Sequence, residues 1–393
     1  MIHPELQPHQ EKARKRLRNG SILSGGVGTG KSRVALAYYV VPFVNDPLYI
    51  ITTAKKRDSL DWETEAAAFG IGKSEDSTTQ GVLTVDSWNN INKYSEVKNA
   101  FFIFDEQRLV GKGAWVKAFL KIARNNQWLL LSATPGDTWL DYVPVFIANG
   151  FYKNRTEFIR EHVIYAPYTQ FPKVDRYVGV QKLIKLRNQI LVDMPYKRQT
   201  TRHTKTLWVD HDEKKVQEVI KKRWNPFTDL PIENPSEFFQ VLRRVVFQDS
   251  SRVETVSKLL KAHDKVIVFY NYNFELDALR GLLEEVRVAE WNGQKHEEVP
   301  KTDKWVYLVQ YSAGSEGWNC IETNAMVFYS LTYSYKMWEQ AHGRIDRLNT
   351  PFEDLYYYVL RSKSVVDSMV FQAIKQKRSF QANENAVKRL SWG

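Results

Sequence analysis

The chain has 393 residues, 43% of them hydrophobic, which is enough for two or three domains with buried cores and excludes a largely disordered protein. No run of eighteen apolar residues occurs and no apolar signal core follows the first residues, so neither a membrane span nor secretion is expected. The single cysteine, Cys320, excludes an intrachain disulfide and suits a reducing, cytoplasmic compartment, while 56 Lys and Arg against 45 Asp and Glu leave a net charge of +11.

That basic balance is the electrostatic footprint of a nucleic-acid binder, although many soluble proteins share it without one. The twelve tryptophans belong first to core and interface packing.

In chain order, "SILSG", "PLYIITTA", "GVLTVDS", "AFFIFDE" and "WLLLSAT" read as buried strands with polar residues at their carboxyl ends. Between them "KSRVALAYYVV" and "RDSLDWETEAAAFG" read as helices, and long helical stretches follow. A second series begins at "KTLWVD" and runs through "KVIVFY", "VRVAEW", "WVYLVQY", "AMVFYS" and "DLYYYVL". Its helices include "NFELDALRGLLEEV", "SYKMWEQAHGRIDRL" and "SVVDSMVFQAIKQKRSF". Alternating strands and helices predict an α/β protein of two domains, residues 1–195 and 196–393, each a mainly parallel sheet flanked by helices. The basic stretch 167–206, poor in strand signal, is expected to hold the hinge, and "NPFTDLPIENP" reads as an irregular loop.

"GGVGTGKS" matches the phosphate-loop pattern of glycine, four residues, glycine, lysine, then serine or threonine. It lies between an expected strand and an expected helix, the context in which backbone N–H groups of Gly25, Gly26, Val27, Gly28, Thr29 and Gly30 curl around phosphates. Lys31 would reach the β- and γ-phosphates of ATP and the Ser32 hydroxyl would bind Mg²⁺. "FFIFDEQR" supplies the matching acids at the carboxyl edge of the sheet: Asp105 for Mg²⁺ and Glu106 to orient and deprotonate water. Alone, an acidic turn after a strand is the commoner reading; beside a phosphate loop the pair points to hydrolysis. Arg344 and Arg347, in "WEQAHGRIDRL", share a face if that segment is helical, with ion pairs to Glu339 or Asp346 as the plainer alternative.

Taken together these motifs resemble superfamily-two helicases and translocases, more closely the Swi/Snf-type branch, and the resemblance runs from Leu6 to about Asn349. It implies two tandem RecA-like domains that hydrolyse ATP with Mg²⁺ in the cleft between them. "LQPHQ" resembles the adenine-reading motif, with Gln10 as its contact. "LLLSATP" resembles the third motif, whose Ser132 and Thr134 would couple hydrolysis to strand grip. "YSAGSEGWNC" resembles the fifth motif, with Gly317 at the nucleotide and Tyr311 and Ser312 at the nucleic acid. "QAHGRIDRL" resembles the sixth, which implies a coupling role for Gln340 and arginine-finger roles for Arg344 and Arg347.

The sequence departs from the family at Gln107 and Arg108, where alanine and then histidine or aspartate are usual, and at Tyr311, where a smaller hydroxyl residue is usual. Without the long insertions of chromatin remodellers, the chain resembles the compact viral or bacterial forms, which implies a bacterial or infected-host cytoplasm.

A nucleic-acid track is expected from Thr53, Lys55, Lys56, Thr84, Asp86 and Ser87 in the first half and Asn271 and Tyr272 in the second, all following strands. For each, a hydrogen bond that satisfies its own loop is as good a reading. Trp88 and Trp318 are expected in the core rather than as strand-splitting wedges. The leading expectation is a monomeric ATP-driven DNA translocase or helicase, duplex favoured over single strands and RNA less so, with no membrane partner. The alternatives are a strand-separating helicase on DNA or RNA, and a nucleic-acid-binding protein whose nucleotide site does not hydrolyse.

Overall fold

A computed structural model describes residues 4–26, 28–43, 45–72, 82–106, 109, 113–167, 172, 174–194, 200–281, 286–314, 320–347 and 350–376. Val27, Gln107, Arg108, Gly317 and Trp318 lie outside the described residues. The chain divides into two compact units, Met1–Lys197 and Arg198–Gly393.

In the first unit the strands are β1 (Ser21–Ser24), β2 (Leu48–Thr52), β3 (Leu83–Ser87), β4 (Phe101–Asp105), β5 (Gln127–Ser132), β6 (Val163–Tyr165), β7 (Val174–Tyr177) and β8 (Leu191–Asp193). Six of them form a parallel sheet in the order β3-β2-β4-β5-β1-β8, while β6 and β7 pair antiparallel. The helices are α1 (Pro8–Arg14), α2 (Lys31–Val40), α3 (Ala54–Asp58), α4 (Asp61–Ala67), α5 (Ala114–Asn125), α6 (Trp139–Ala148), α7 (Arg155–His162) and α8 (Val180–Ile190).

Strand β4, "FFIFD", is buried at every position because the sheet is covered on both faces. Phe101 and Ile103 pack with Ala13, Leu36, Trp62 and Ala66 of α1, α2 and α4. Phe104, on the opposite face, meets Phe119 of α5 edge-on at 5.0 Å between ring centroids. Two expectations need correction. "RDSLDWETEAAAFG" is not one helix: it holds the end of α3 and the whole of α4, because Leu60 adopts a left-handed conformation (φ 56°) that turns the chain and lets Trp62 and Ala66 enter the core. The stretch read as poor in strands contains β8, which adds to β1 through Ile22–Leu191, Leu23–Val192 and Ser24–Asp193.

The second unit contains β9 (Thr201–Trp208), β10 (Trp224–Asn225), β11 (Leu230–Pro231), β12 (Lys265–Tyr270), β13 (Arg287–Trp291), β14 (Trp305–Gln310), β15 (Ala325–Phe328) and β16 (Asp354–Arg361). Its parallel sheet runs β13-β14-β12-β15-β16-β9. Around it are α9 (Glu213–Lys222), α10 (Pro235–Phe247), α11 (Ser250–Ala262), α12 (Asn273–Arg280), α13 (Tyr311–Gly314) and α14 (Tyr335–His342), and residues 365–376 are helical. The two-residue side-chain period of a strand sorts Ile267 and Phe269 to one core and Val266, Val268 and Tyr270 to the other. Two parallel six-stranded sheets of this kind are the tandem RecA-like architecture expected. The stretch read as an irregular loop, 225–235, is more regular, since β10 and β11 pair through Asn225–Leu230. Among the described residues, no helix is long and apolar enough to cross a membrane.

A fully buried ion pair fastens the helix of residues 365–376. Arg252 on α11 pairs with Asp367 and donates to the Tyr329 carbonyl at 2.7 Å, and Asp367 Oδ2 also accepts from the Ser362 N–H and hydroxyl. Removing one partner leaves the other charge stranded in a low dielectric. Asp367→Ala is expected to cost about 3–5 kcal/mol of stability, measured by urea denaturation; a loss under about 1 kcal/mol would show that Arg252 finds another acceptor or water.

Candidate active site

A parallel sheet ends all its strands at one edge, and that edge collects the chain's reactive residues. In the first unit β1 ends at Ser24 before the glycine loop, β2 at Thr52, β4 at Asp105 and β5 at Ser132. Because β5 lies between β1 and β4, the loop and the acidic pair stand two strand spacings apart, about 10 Å. A triphosphate with its metal can bridge that span.

The loop fits phosphate. Gly28 and Gly30 both have φ of +80°, a conformation that costs a residue with a Cβ, and a Cβ on Gly30 would collide with Gln10 Nε2 at 2.2 Å. Helix α2 begins at Lys31, directing its first backbone N–H groups into the loop. Lys31 Nζ donates to the Gly25 and Gly26 carbonyls at 2.8 and 3.0 Å, and Thr29 Oγ1 donates to Gly26 at 2.9 Å. Gln10 is buried against this loop, donating from Nε2 to the Thr29 carbonyl at 3.1 Å and accepting the Gln7 N–H at 3.0 Å. A lysine, glycine amides, the Ser32 hydroxyl and a nearby carboxylate form a donor set suited to ATP and Mg²⁺.

Several donors converge on Asp105 at this edge. Only 2% exposed, it accepts at Oδ2 from Thr52 Oγ1 (2.9 Å), Lys56 Nζ (2.9 Å) and Trp62 Nε1 (3.1 Å). Its carbonyl accepts from Trp88 Nε1 at 2.8 Å, so Trp88 is a core residue that also fixes the acidic turn. Glu106 has a left-handed backbone (φ 59°), an unfavourable choice for glutamate that strained functional turns often retain. Lys56 lies 3.5 Å from Glu106. Burial opposes the Lys56 charge, but the two carboxylates outweigh it and raise its pKa above that of an ordinary lysine.

The third-motif residues touch the glycine loop through the backbone. Ser132 pairs with Ser24, and its carbonyl accepts the Gly25 N–H at 3.2 Å. Ser132 Oγ accepts the Thr134 N–H at 3.1 Å, while Thr134 Oγ1 is buried with no hydrogen-bond partner among the described residues.

The expected track is placed unevenly. Thr53 caps α3, accepting the Lys56 N–H at 3.3 Å, and Lys55 lies beside it on that helix. Lys56, expected at the nucleic acid, rests on the carboxylates of Asp105 and Glu106. Asp86 accepts from Ser87 N (2.7 Å), Asn90 (2.8 Å) and Tyr94 (2.7 Å); burial works against its charge, but these donors prevail and lower its pKa. Ser87 is buried and Thr84 half-buried on β3.

In the second unit Tyr311 is buried to 1% exposure among Phe269 and Phe328, so it is a core residue rather than a surface phosphate contact. Its phenol fills the space a smaller hydroxyl residue would leave. Ser312, the next residue, is exposed. Asn271 is anchored to Ser330 Oγ (2.8 Å) and the Leu331 carbonyl (3.2 Å), and Tyr272 accepts from Arg243 at 2.8 Å while stacking on Phe274.

Arg344 and Arg347 do not share a helix face, because α14 ends at His342, Arg344 follows in a turn and Arg347 lies beyond that turn. Tertiary contacts fix that turn. Ile345 is in the core, Tyr357 donates to the His342 carbonyl at 2.9 Å, and Cys320 N–H donates to the Arg344 carbonyl at 3.0 Å. Asp346 is held by Thr200 and by Arg202, each at 2.7 Å. Gln340 is buried on α14.

No protein-family model and no curated protein matches the sequence. Among solved structures, the SWI2/SNF2 ATPase core of Sulfolobus solfataricus in complex with dsDNA is similar over 96% of this chain and 92% of that one, with 15% identity and a TM-score of 0.43. At that identity and score the likeness assigns no role to any residue here.

Sequence reasoning missed Thr52 and Trp62, which brace Asp105, and Glu275, which organises the loop after β12. Glu275 is fully buried and accepts from the Asn271 N–H (2.7 Å), the Tyr272 N–H (3.3 Å) and Ser330 Oγ (2.9 Å), yet Oε1 has no partner among the described residues. Burial pushes its pKa up to about 7. A carboxyl whose folded pKa exceeds its unfolded value stabilises the fold at low pH and loses that contribution as pH rises through the folded value. The Glu275 contribution is therefore expected to fall away between about pH 4.5 and pH 7, and Glu275→Gln to flatten that fall by a few kcal/mol at most. Melting temperatures across this range decide it; parallel curves for the two proteins would assign the proton elsewhere.

Proposed function

We propose that the chain is a nucleic-acid-dependent ATPase that moves along DNA, duplex in preference to single strands. The observation that carries this reading is the pairing, on one sheet edge, of a glycine loop ending in Lys31–Ser32 with a carboxylate turn at Asp105–Glu106. Lys31 neutralises phosphate charge once it leaves the Gly25 and Gly26 carbonyls, and the loop amides hold the phosphate oxygens. Ser32 and Asp105 are the ligands proposed for Mg²⁺, which supplies charge neutralisation when bound. Glu106 receives the proton of the attacking water, its carboxylate held in place by the strained turn.

Arg344 and Arg347 are the arginine fingers of this reading. Their turn is supported from behind by Ile345 and by the Asp346–Arg202 pair, the sort of backing that a positioned guanidinium requires. Hydrolysis then depends on the second unit, which is how turnover becomes coupled to movement. The net charge of +11, Lys55 and the loop at Asn271–Tyr272 support polynucleotide as the partner. A strand-separating helicase remains the second reading, and triplex displacement beside fluorescent strand displacement discriminates the two.

Lys31→Ala is expected to abolish ATP hydrolysis measured by phosphate release; full turnover would show the glycine loop is not the site. Arg347→Ala is expected to reduce turnover by about 10³-fold or more while nucleotide still binds. Loss of binding with unchanged turnover per bound nucleotide would contradict the finger role. Duplex DNA is expected to stimulate wild-type hydrolysis, and its affinity to fall with a log–log salt slope of about −0.9 per phosphate neutralised; stimulation by RNA alone would overturn the choice of DNA.

A further inference from the structure

Lys56 sits where two chemistries meet. By sequence it follows β2 in the stretch expected to touch nucleic-acid phosphate, and by structure its ammonium rests on Asp105 at 2.9 Å and Glu106 at 3.5 Å. Its side chain is 29% exposed, so it is accessible from solvent while it bridges the carboxylates. The adjacent Arg57 behaves alike, reaching Asp86 at 3.5 Å.

Asp105 Oδ2 does not depend on Lys56 for hydrogen bonding, because Thr52 and Trp62 donate to the same atom. What Lys56 adds is a positive charge on carboxylates that metal binding and water activation both require. An ammonium there competes with a divalent cation for the same carboxylates. The backbone need not move for the charge to leave, since α3 is capped by Thr53 and only the four-carbon lysine stem has to rotate.

Resting on the ATPase reading above, we propose that Lys56 is a switching cation shared between the Asp105–Glu106 carboxylates and a nucleic-acid phosphate. Polynucleotide arriving at the end of β2 draws the ammonium away and releases both carboxylates for Mg²⁺ and water. Lys56 is thus a positioning residue that links polynucleotide binding to the nucleotide site. Linkage is reciprocal, so whatever factor DNA contributes to Mg²⁺–nucleotide affinity, nucleotide contributes to DNA affinity.

The test measures binding without turnover. The affinity of a fluorescent non-hydrolysable ATP analogue with Mg²⁺ is determined with and without a duplex oligonucleotide, for wild type, Lys56→Gln and Lys56→Arg. Duplex is expected to tighten analogue binding about 5- to 150-fold in wild type, the usual range of such couplings. In Lys56→Gln the DNA-free affinity is expected to rise toward the DNA-bound wild-type value and the coupling to fall below about twofold, with DNA-free hydrolysis raised in parallel. Lys56→Arg keeps the charge and is expected to retain most of the coupling. Unchanged coupling in a folded Lys56→Gln protein overturns the switch, as does weaker DNA-free analogue binding in that variant. If Lys56→Gln does not fold, loss of coupling in Lys56→Arg, which preserves the charge, overturns it instead. A wild type whose hydrolysis ignores DNA defeats the ATPase reading itself, a result distinct from either failure.

Discussion

The buried carboxylate of Asp105 orders the carboxyl edge of the first unit's sheet. Asp105 is nearly inaccessible, and an ionised carboxylate in that position is tolerable only because donors converge on it. Those donors come from three places in the chain: Thr52 at the end of β2, Lys56 on α3 and Trp62 on α4. The cost of leaving Asp105 unsatisfied therefore fixes how the short helices after β2 lie against the sheet. The break at Leu60 follows from the same demand, since a continuous helix would turn the two donors Lys56 and Trp62 through about 100° per residue along one axis. A bent path lets both reach one oxygen.

That arrangement also explains why the glycine loop and the acidic turn are tied together mechanically. Ser132, on the strand between them, pairs with the end of β1 and accepts the first loop N–H. β5, a strand buried along almost its whole length, lies between the strands that carry the glycine loop and the acidic turn. Close-packed strands transmit strain because they have no free volume in which to absorb it.

The sheets were legible in the sequence because parallel strands covered on both faces must be continuously apolar, and runs such as "KVIVFY" and "FFIFD" are. The glycine loop was legible because its chemistry fixes residue types at fixed spacing. What stayed hidden depends on contacts distant in sequence. Lys56 and Asp105 are 49 positions apart, and nothing local to "TTAKK" shows that Lys56 meets a carboxylate so far along the chain. The helix expected across Arg344 and Arg347 failed for a similar reason: local pattern favours continuation past His342, but Ile345 entering the core and Asp346 meeting Arg202 favour a turn. Strand β8 was missed because three residues at a sheet edge carry almost no periodic signal.

Tyr311 shows how a departure from a family pattern can be read physically. A phenol in place of a small hydroxyl residue adds a ring that must go somewhere, and the structure places it against Phe269 and Phe328 in the second unit's core. Burial raises its pKa well above the ordinary tyrosine range, with the nearby Glu275 charge acting in the same direction. The hydroxyl is thus kept neutral within the core, while the next residue, Ser312, is exposed. Since Glu275 also orders Asn271 and Tyr272, the core residue and the surface loop are linked through one buried carboxyl. A substitution that looks like a lost contact is then better understood as a change in what supports the loop beside it.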